Sequence, residues 1–226
     1  MTGGLLFAMW TYLVAAMPFG VIVTTLAGGA VDIRTAGSGN IGATNVARLY
    51  GWGLALGVLL LDMAKGATPI LVAQWLWPDA SLWWIGTVAL TAFLGHCFPV
   101  YLDFRGGKGV ATAGGIMMAL SPAPTLLALA AWSLTIATTG KSSLSSLTAA
   151  VALLLGALLL DMPIVPLVMV LSLAVTATHI ANIRRLMRGE ESPVVRSVRY
   201  NRTSPRSARD ALEQGPGGNA NPPPAW

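Results

Sequence analysis

Long apolar stretches follow one another through most of the chain, and short polar breaks separate them. A helix needs about 20 apolar residues to cross roughly 30 Å of hydrocarbon. The pattern therefore predicts an all-α integral membrane protein with seven transmembrane helices. The candidate spans lie at about 4-26, 52-77, 81-103, 109-121, 124-139, 144-160 and 162-180.

One of these spans is shorter than the others. The helical part of 109-121 reaches only about 20 Å, so this span is short, tilted or re-entrant. If 109-139 entered the bilayer and returned to the same side, five crossings would remain, and the loops on either side of it would still share one face.

Composition excludes an ordinary soluble domain. The chain is 54% hydrophobic and 10% charged, whereas a soluble surface carries roughly 25–35% charged residues. The first apolar run has no basic residue before it and no clear cleavage site, so we interpret it as a retained span rather than a signal peptide. Cys97 is the single cysteine, which excludes an intrachain disulfide framework.

The basic residues predict the orientation of the spans. The loops after the first, third, fifth and seventh spans contain Arg34, Arg48, Arg105, Lys108, Lys141, Arg184, Arg185 and Arg188. The opposite loops contain no Lys or Arg. Because cytoplasmic loops carry an excess of basic residues, we expect the N-terminus outside and the C-terminus in the cytoplasm.

The apolar pattern stops after residue 191. Residues 192-226 first alternate Arg with small polar residues and then consist mainly of Gly, Asn and Pro. This composition predicts a disordered cytoplasmic tail, which either touches anionic lipid headgroups or is a dispensable extension. The prediction is therefore a membrane-embedded domain at 1-191 and a tail at 192-226.

Three polar segments, 37-48, 105-112 and 179-191, interrupt the apolar chain on the predicted cytoplasmic side. They combine glycine, hydroxyl and amide groups with Arg or Lys. Small residues let backbone N–H groups approach an oxyanion, so this combination suits phosphate. The segments together indicate an enzyme that acts on a phosphorylated substrate at the bilayer surface.

The same segments, in matching order over residues 4-191, resemble motifs of the bacterial acyl-phosphate:glycerol-3-phosphate acyltransferases. The likeness is carried by Gly37-Ser-Gly-Asn-Ile-Gly-Ala-Thr-Asn-Val-Ala-Arg48, Gly95-His96, Phe98-Pro99, Gly106-Gly-Lys-Gly-Val-Ala-Thr112, His179-Ile-Ala-Asn182, Gly189-Glu-Glu191 and Asp62-Met-Ala-Lys65-Gly66. The family's fold of seven spans with an outside N-terminus agrees with the orientation expected from the charges.

The resemblance implies transfer of a fatty acyl group from acyl phosphate to the 1-hydroxyl of glycerol 3-phosphate, giving lysophosphatidic acid and phosphate. It implies an enzyme of the bacterial inner membrane whose active site faces the cytoplasm and which needs no cofactor. The expected partners are the two substrates, membrane lipids and the enzyme that makes acyl phosphate, with no nucleic acid. The alternative is a transporter of an anionic phosphorylated solute.

The implied reaction brings two dianions together, and the site must therefore be cationic. Two double charges about 5 Å apart repel by roughly 13 kcal/mol at an effective dielectric constant of 20. Arg can grip phosphate with two hydrogen bonds, and Lys acts as a movable point charge. The expected catalytic residues are Ser38, Arg48, Lys108, His179 and Asn182.

A wider set is expected to bind substrate through small or polar groups. It consists of Gly37, Gly39, Asn40, Gly42, Thr44, Asn45, Arg105, Gly106, Gly107, Gly109, Lys141, Ser143 and Arg184. Several of these residue types are also ordinary turn and helix-cap residues. The glycine-rich turn before the fourth span would present an oxyanion to a helix N-terminus, although the spacing is not that of a nucleotide P-loop.

The expected chemistry is direct attack by the glycerol hydroxyl. A His–Asp dyad at the spacing used by the other large glycerolipid acyltransferase class is absent, because Tyr101 follows His96 and Arg184 follows His179 at that distance. The predicted cytoplasmic face also has no cluster of metal ligands. Asp62 and Lys65 are interpreted as a buried structural pair, and His96 is either a site residue or a packing residue.

Overall fold

The computed structural model describes residues 2–160 and 162–194, and every regular element among them is helical. The α-helices are α1 (Thr2–Ala15), α2 (Phe19–Leu26), α3 (Ala43–Tyr50), α4 (Trp52–Leu76), α5 (Leu82–Cys97), α6 (Val110–Leu120), α7 (Pro122–Thr139), α8 (Ser142–Leu159), α9 (Val165–Thr178) and α10 (Ile180–Met187). A short 3-10 helix, Val100–Leu102, follows α5. The predicted all-α class is confirmed.

Fewer of these helices than predicted are long and apolar enough to cross a membrane singly. Three segments qualify, namely α4, α5 continued to Leu102, and α8. The number rises to five if each bent pair, α1 with α2 and α9 with α10, is one span. Helix α6 has 11 residues, and α7 is not among these candidates. The seven-span count and the orientation of the termini stay predictions.

Two sharp bends shape the bundle. The axes of α1 and α2 differ by 43° around Pro18, and those of α9 and α10 differ by 61° around His179. Proline has no N–H to donate and prevents the helix from continuing regularly. The side chain of Lys65 bonds to the carbonyl oxygen of Met17 at 2.8 Å, which satisfies an acceptor next to the first bend.

Helices α4 and α6 approach each other backbone to backbone. A Cβ atom added at Gly66 would lie 2.3 Å from the Thr112 carbonyl oxygen, and one at Gly115 would lie 1.9 Å from that of Met63. Small residues permit such close approach between helices in a membrane. This contact holds the start of α6, and the glycine-rich turn before it, against α4.

Ser192, Pro193 and Val194 depart from the predicted tail. Val194 is buried and its N–H donates to the Gly140 carbonyl oxygen at 2.8 Å. The end of the described chain therefore packs on the α7–α8 turn, because an apolar side chain and a backbone donor both find partners there. The rest of the predicted tail, 195–226, lies outside the described residues.

Gly115→Ala should destabilise the fold, because its new Cβ would collide with the backbone of α4. Overpacking of this kind costs about 1–3 kcal/mol, so we expect a lower midpoint for thermal unfolding in detergent. Gly114→Ala is the matched control, since a Cβ there meets nothing within 4 Å. Equal unfolding midpoints for the two variants would contradict the close contact of α4 and α6.

Candidate active site

A cavity of about 1100 Å³ lies where the three polar segments meet. All five residues expected to be catalytic line it, namely Ser38, Arg48, Lys108, His179 and Asn182. Seven of the expected substrate-binding residues line it as well: Gly37, Asn40, Gly42, Thr44, Asn45, Gly109 and Ser143. Segments far apart in sequence thus converge on one space.

The other six predicted residues do not line this cavity; they are Gly39, Arg105, Gly106, Gly107, Lys141 and Arg184. The side chains of Arg105 and Arg184 are exposed. The N–H groups of Gly106 and Gly107 donate to the Cys97 and His96 carbonyl oxygens at 3.1 and 3.2 Å. These two glycines therefore fix the turn instead of presenting free donors to an anion.

The loop at 37–42 is organised by Asn45, which is 1% exposed. Its side-chain amide donates to the carbonyl oxygens of Ile33 and Ala36 at 2.9 and 3.0 Å. Its Oδ1 accepts from the Ser38 N–H at 2.8 Å. Asn45 lines the cavity, but these bonds use both of its amide N–H donors, so it has no free N–H to offer the substrate that it was expected to bind. Its role in the structure is to place Ser38 at the cavity.

Gly37 approaches the same side-chain oxygen of Asn45. Its φ is +62°, a left-handed conformation that glycine adopts without strain. A Cβ atom there would lie 2.3 Å from Asn45 Oδ1. The glycine is therefore needed for the turn that brings Ser38 to the cavity.

A hydroxyl pair joins the first polar segment to the α7–α8 turn. The hydroxyl oxygens of Thr44 and Ser142 lie 2.9 Å apart. Helices α3 and α8 are thereby connected at the rim of the cavity. Because one hydroxyl donates and the other accepts, each keeps further hydrogen-bonding capacity that can face the cavity.

Glu191 gathers three donors from different parts of the chain. Its Oε1 accepts from the Ser143 hydroxyl at 2.6 Å and from the Asn182 amide at 2.7 Å, and its Oε2 accepts from Arg185 Nε at 2.7 Å. The Oδ1 of Asn182 accepts a hydrogen bond from Lys108 Nζ. Asn182 therefore bridges the lysine of the second polar segment and the carboxylate of the third.

This network sets the charge state of Lys108. Burial lowers the pKa of Lys108 to about 8, Glu191 opposes that shift, and Arg185 and Arg48 reinforce it. Burial alone would raise the pKa of Glu191, but hydrogen bonds from Ser143, Asn182 and Arg185 hold it below its usual value. At neutral pH the site thus contains an ammonium group and a carboxylate separated by one amide.

His179 lies at the bend between α9 and α10 and is 2% exposed. Its Nδ1 is 2.8 Å from the Val175 carbonyl oxygen, so this nitrogen carries the proton. The neutral ring then has Nε2 as an acceptor at a residue that lines the cavity. The neighbouring Thr178 hydroxyl donates to the Lys108 carbonyl oxygen at 3.0 Å, which ties this bend to the glycine-rich turn.

Away from the polar groups the cavity becomes an apolar channel. It is lined by Met117, Ala128, Trp132, Leu153 and Leu171 from α6, α7, α8 and α9. From Ser143 to Leu153 the channel follows α8 for about 15 Å. Beyond it α7 and α8 close together, since a Cβ at Gly156 would lie 3.1 Å from Pro124 Cβ. The space suits a polar head with a long apolar chain.

Ten residues with hydroxyl or ionisable side chains line the cavity and were absent from the predicted site, namely Asp62, His96, Thr125, Ser142, Ser146, Ser172, Arg185, Glu190, Glu191 and Ser192. Arg185 is one of the basic residues that predict the cytoplasmic side, and Glu191 ends the third polar segment. The bond between them shows that Glu191 holds Arg185 in place. No sequence signal distinguished Arg185, which lines the cavity, from the exposed Arg184.

Residues 5–189 match the profile of a family described as glycerol-3-phosphate acyltransferase. The chain belongs to that family. A glycerol-3-phosphate acyltransferase of Anaeromyxobacter sp. (strain Fw109-5) is 45% identical over 194 residues, which cover 83% of this chain and 95% of the relative. The family assignment favours the acyltransferase over the transporter considered above.

Two solved structures resemble the acyltransferase closely. Both are of PlsY, an integral membrane glycerol 3-phosphate acyltransferase, one in a glycerol 3-phosphate form and one in a lysophosphatidic acid form. They superpose with TM-scores of 0.79 and 0.78 at 34% identity, covering 84% of this chain and 95% of theirs. Membership of the integral membrane class is thereby supported independently of the apolar helices.

The rate of acyl transfer to glycerol 3-phosphate should fall as pH rises through about 8, because Lys108 then loses its proton. Lys108→Arg keeps its charge at high pH, so its rate should be lower but should not show this decrease. The test is to measure initial rates of the wild type and of Lys108→Arg between about pH 6 and 10, in roughly half-unit steps, which brackets the range in which a lysine loses its proton. A decrease at the same pH in both would contradict it.

Glu191→Gln should move this decrease to lower pH. The carboxylate raises the pKa of Lys108, so its removal should let the lysine lose its proton earlier. Glu190→Gln is the matched control, since the exposed Glu190 also lines the cavity but does not join the hydrogen-bond network described above. An unchanged pH profile in Glu191→Gln, with the protein still folded by thermal unfolding, would contradict the coupling.

Proposed function

We propose that this acyltransferase transfers a fatty acyl group from acyl phosphate to the 1-hydroxyl of glycerol 3-phosphate, giving lysophosphatidic acid and inorganic phosphate. The observation that carries the proposal is the continuity of the cavity, which joins a polar end holding Arg48, Lys108 and Arg185 to an apolar channel. An acyl phosphate has that same division between a dianionic head and a long apolar tail. Glycerol 3-phosphate and lysophosphatidic acid are also the ligands named for the two PlsY structures.

The cations support binding of two phosphate groups. Arg48, Lys108 and Arg185 all line the polar end. Repulsion between the substrates, roughly 13 kcal/mol at about 5 Å and an effective dielectric constant of 20, requires such charges. We assign Arg48 and Lys108 as the principal phosphate ligands, with Ser38 and the other polar residues at the cavity wall as neutral partners.

The proposed reaction is a direct displacement at the acyl carbon. The glycerol hydroxyl oxygen attacks this carbon, the bond from the carbon to the bridging oxygen breaks, and phosphate leaves with the electron pair. His179 Nε2 is placed to accept the hydroxyl proton or to orient the hydroxyl while a phosphate oxygen accepts it. Arg48 and Lys108 stabilise the negative charge that develops on the leaving phosphate.

We place the polar end of the cavity at the cytoplasmic face of the bacterial inner membrane. The basic loops share that side in the orientation given by their charge. In this arrangement the chain crosses seven times, with the 11-residue α6 as a short crossing and the 18-residue α7 as the next, both beside the channel. The membrane-embedded domain includes Val194, since its backbone bonds to the α7–α8 turn.

Arg48→Ala and Lys108→Ala should each lose most of the acyl transfer. Removing one such stabilising donor costs on the order of 100-fold to 1,000-fold in rate. Arg34→Ala is the matched control, because Arg34 is paired with Asp32 and does not line this cavity. The assay supplies purified enzyme with acyl phosphate and glycerol 3-phosphate and measures lysophosphatidic acid and released phosphate.

The donor is tested in the same assay by replacing acyl phosphate with acyl coenzyme A. We expect product from acyl phosphate and none from the thioester. Near-normal rates in both alanine variants would overturn the assignment of the site. Product from the thioester alone would overturn the donor.

A further inference from the structure

A buried ionic cluster, two members of which line the cavity, has no role in the reaction proposed above. It consists of Asp62, Lys65 and His96, each no more than 3% exposed. Lys65 Nζ is 2.8 Å from Asp62 Oδ1, and His96 Nδ1 is 3.7 Å from the same oxygen. Charged groups inside a membrane protein are costly unless they neutralise one another. Their presence here calls for a function that an apolar cluster would not perform.

The opposite edge of the His96 ring faces the glycine-rich turn. A Cβ atom added at Gly107 would lie 2.1 Å from His96 Nε2 and 3.0 Å from both Cδ2 and Cε1. These are the three atoms that it would approach most closely. Gly107 does not have a positive φ, so the histidine ring, and not backbone strain, is what excludes a side chain there.

The turn transmits its position directly to Lys108. The N–H groups of Gly106 and Gly107 are bonded to the end of α5, and Lys108 follows at once. Its carbonyl oxygen accepts from Thr178, and its ammonium group donates to Asn182. A shift of the turn would therefore move the ammonium group away from its place at the cavity.

We propose that His96, held in orientation by the Asp62–Lys65 ion pair, is a positioning residue that sets the path of the Gly106–Lys108 turn. The inference rests on the role proposed above for Lys108. Asp62 faces one nitrogen of the ring and Lys65 compensates the carboxylate, so the ring presents its other nitrogen to Gly107. At 3.7 Å the carboxylate attracts this nitrogen without a hydrogen bond, which favours the ring orientation that turns Nδ1 toward Asp62.

The structure supplies a specific test through a double-mutant cycle. Gly107→Ala alone should reduce kcat/KM on the order of 10-fold to 100-fold, as small misplacements in active sites do. His96→Ala should also reduce it. In the double variant the Cβ at position 107 has room, so the two losses should be much less than additive.

Gly106→Ala provides the control for this cycle. Its Cβ would meet the His96 carbonyl oxygen at 2.2 Å and Pro99 Cδ at 2.4 Å. Removal of the His96 side chain cannot relieve those contacts. His96→Ala should therefore relieve Gly107→Ala and leave the loss in Gly106→Ala intact.

A second measurement separates positioning from general loss of structure. His96→Ala and Lys108→Arg should change kcat and KM in the same proportion, because both variants displace the positive charge of residue 108. If His96→Ala does not fold, His96→Asn takes its place in the cycle, since it keeps a polar group and removes the ring edge. Additive losses in the cycle, or wild-type kcat and KM in the His96 variant, would overturn the proposal.

The proposed function fails separately from this inference. Absence of turnover by the wild-type enzyme with acyl phosphate, or full activity of Lys108→Ala, would contradict the reaction and its lysine. The outcome of the His96 and Gly107 cycle does not affect the wild-type and Lys108→Ala assays, so the two proposals can fail separately.

Discussion

The Lys108–Asn182–Glu191 chain of hydrogen bonds is the interaction on which the rest of the site depends. It joins the glycine-rich turn before α6 to the segment that follows α10, and Glu191 extends it to Ser143 on α8. One carboxylate thereby fixes three parts of a mostly apolar bundle at a single point. The same chain keeps a partly buried ammonium group charged near neutral pH, which an anionic substrate requires.

Side chains, more than free backbone donors, build the polar end of the cavity. Asn45 folds the first polar segment around its own amide, and the N–H groups of Gly106 and Gly107 are already bonded to α5. Glycine in these segments mainly permits close packing and tight turns. An apolar channel continues from this rigid end between four helices, so a phosphate head and an acyl tail would be held by chemically different surfaces of one cavity.

The sequence predicted the membrane class, and 12 of the 18 site residues that it indicated line the cavity, because clusters of glycine, amide and basic residues in an apolar chain have few other uses. It could not predict which of two adjacent arginines faces inward, since Arg184 and Arg185 differ only in their place around α10. It also assigned Asn45 to substrate, because nothing local reveals that Ile33 and Ala36 use its amide. The packing of Val194 on the α7–α8 turn depends on a contact between distant segments and has no local signature.

We propose that three distant segments form one phosphate-binding end of a cavity whose other end holds the acyl chain. The decisive measurement is an experimental structure with glycerol 3-phosphate and a non-hydrolysable acyl phosphate analogue. We expect phosphate oxygens within hydrogen-bond distance of Arg48 and Lys108, with the acyl chain beside Trp132 and Leu153. Phosphate bound away from both cations, or an acyl chain on the outer surface of the bundle, would contradict it.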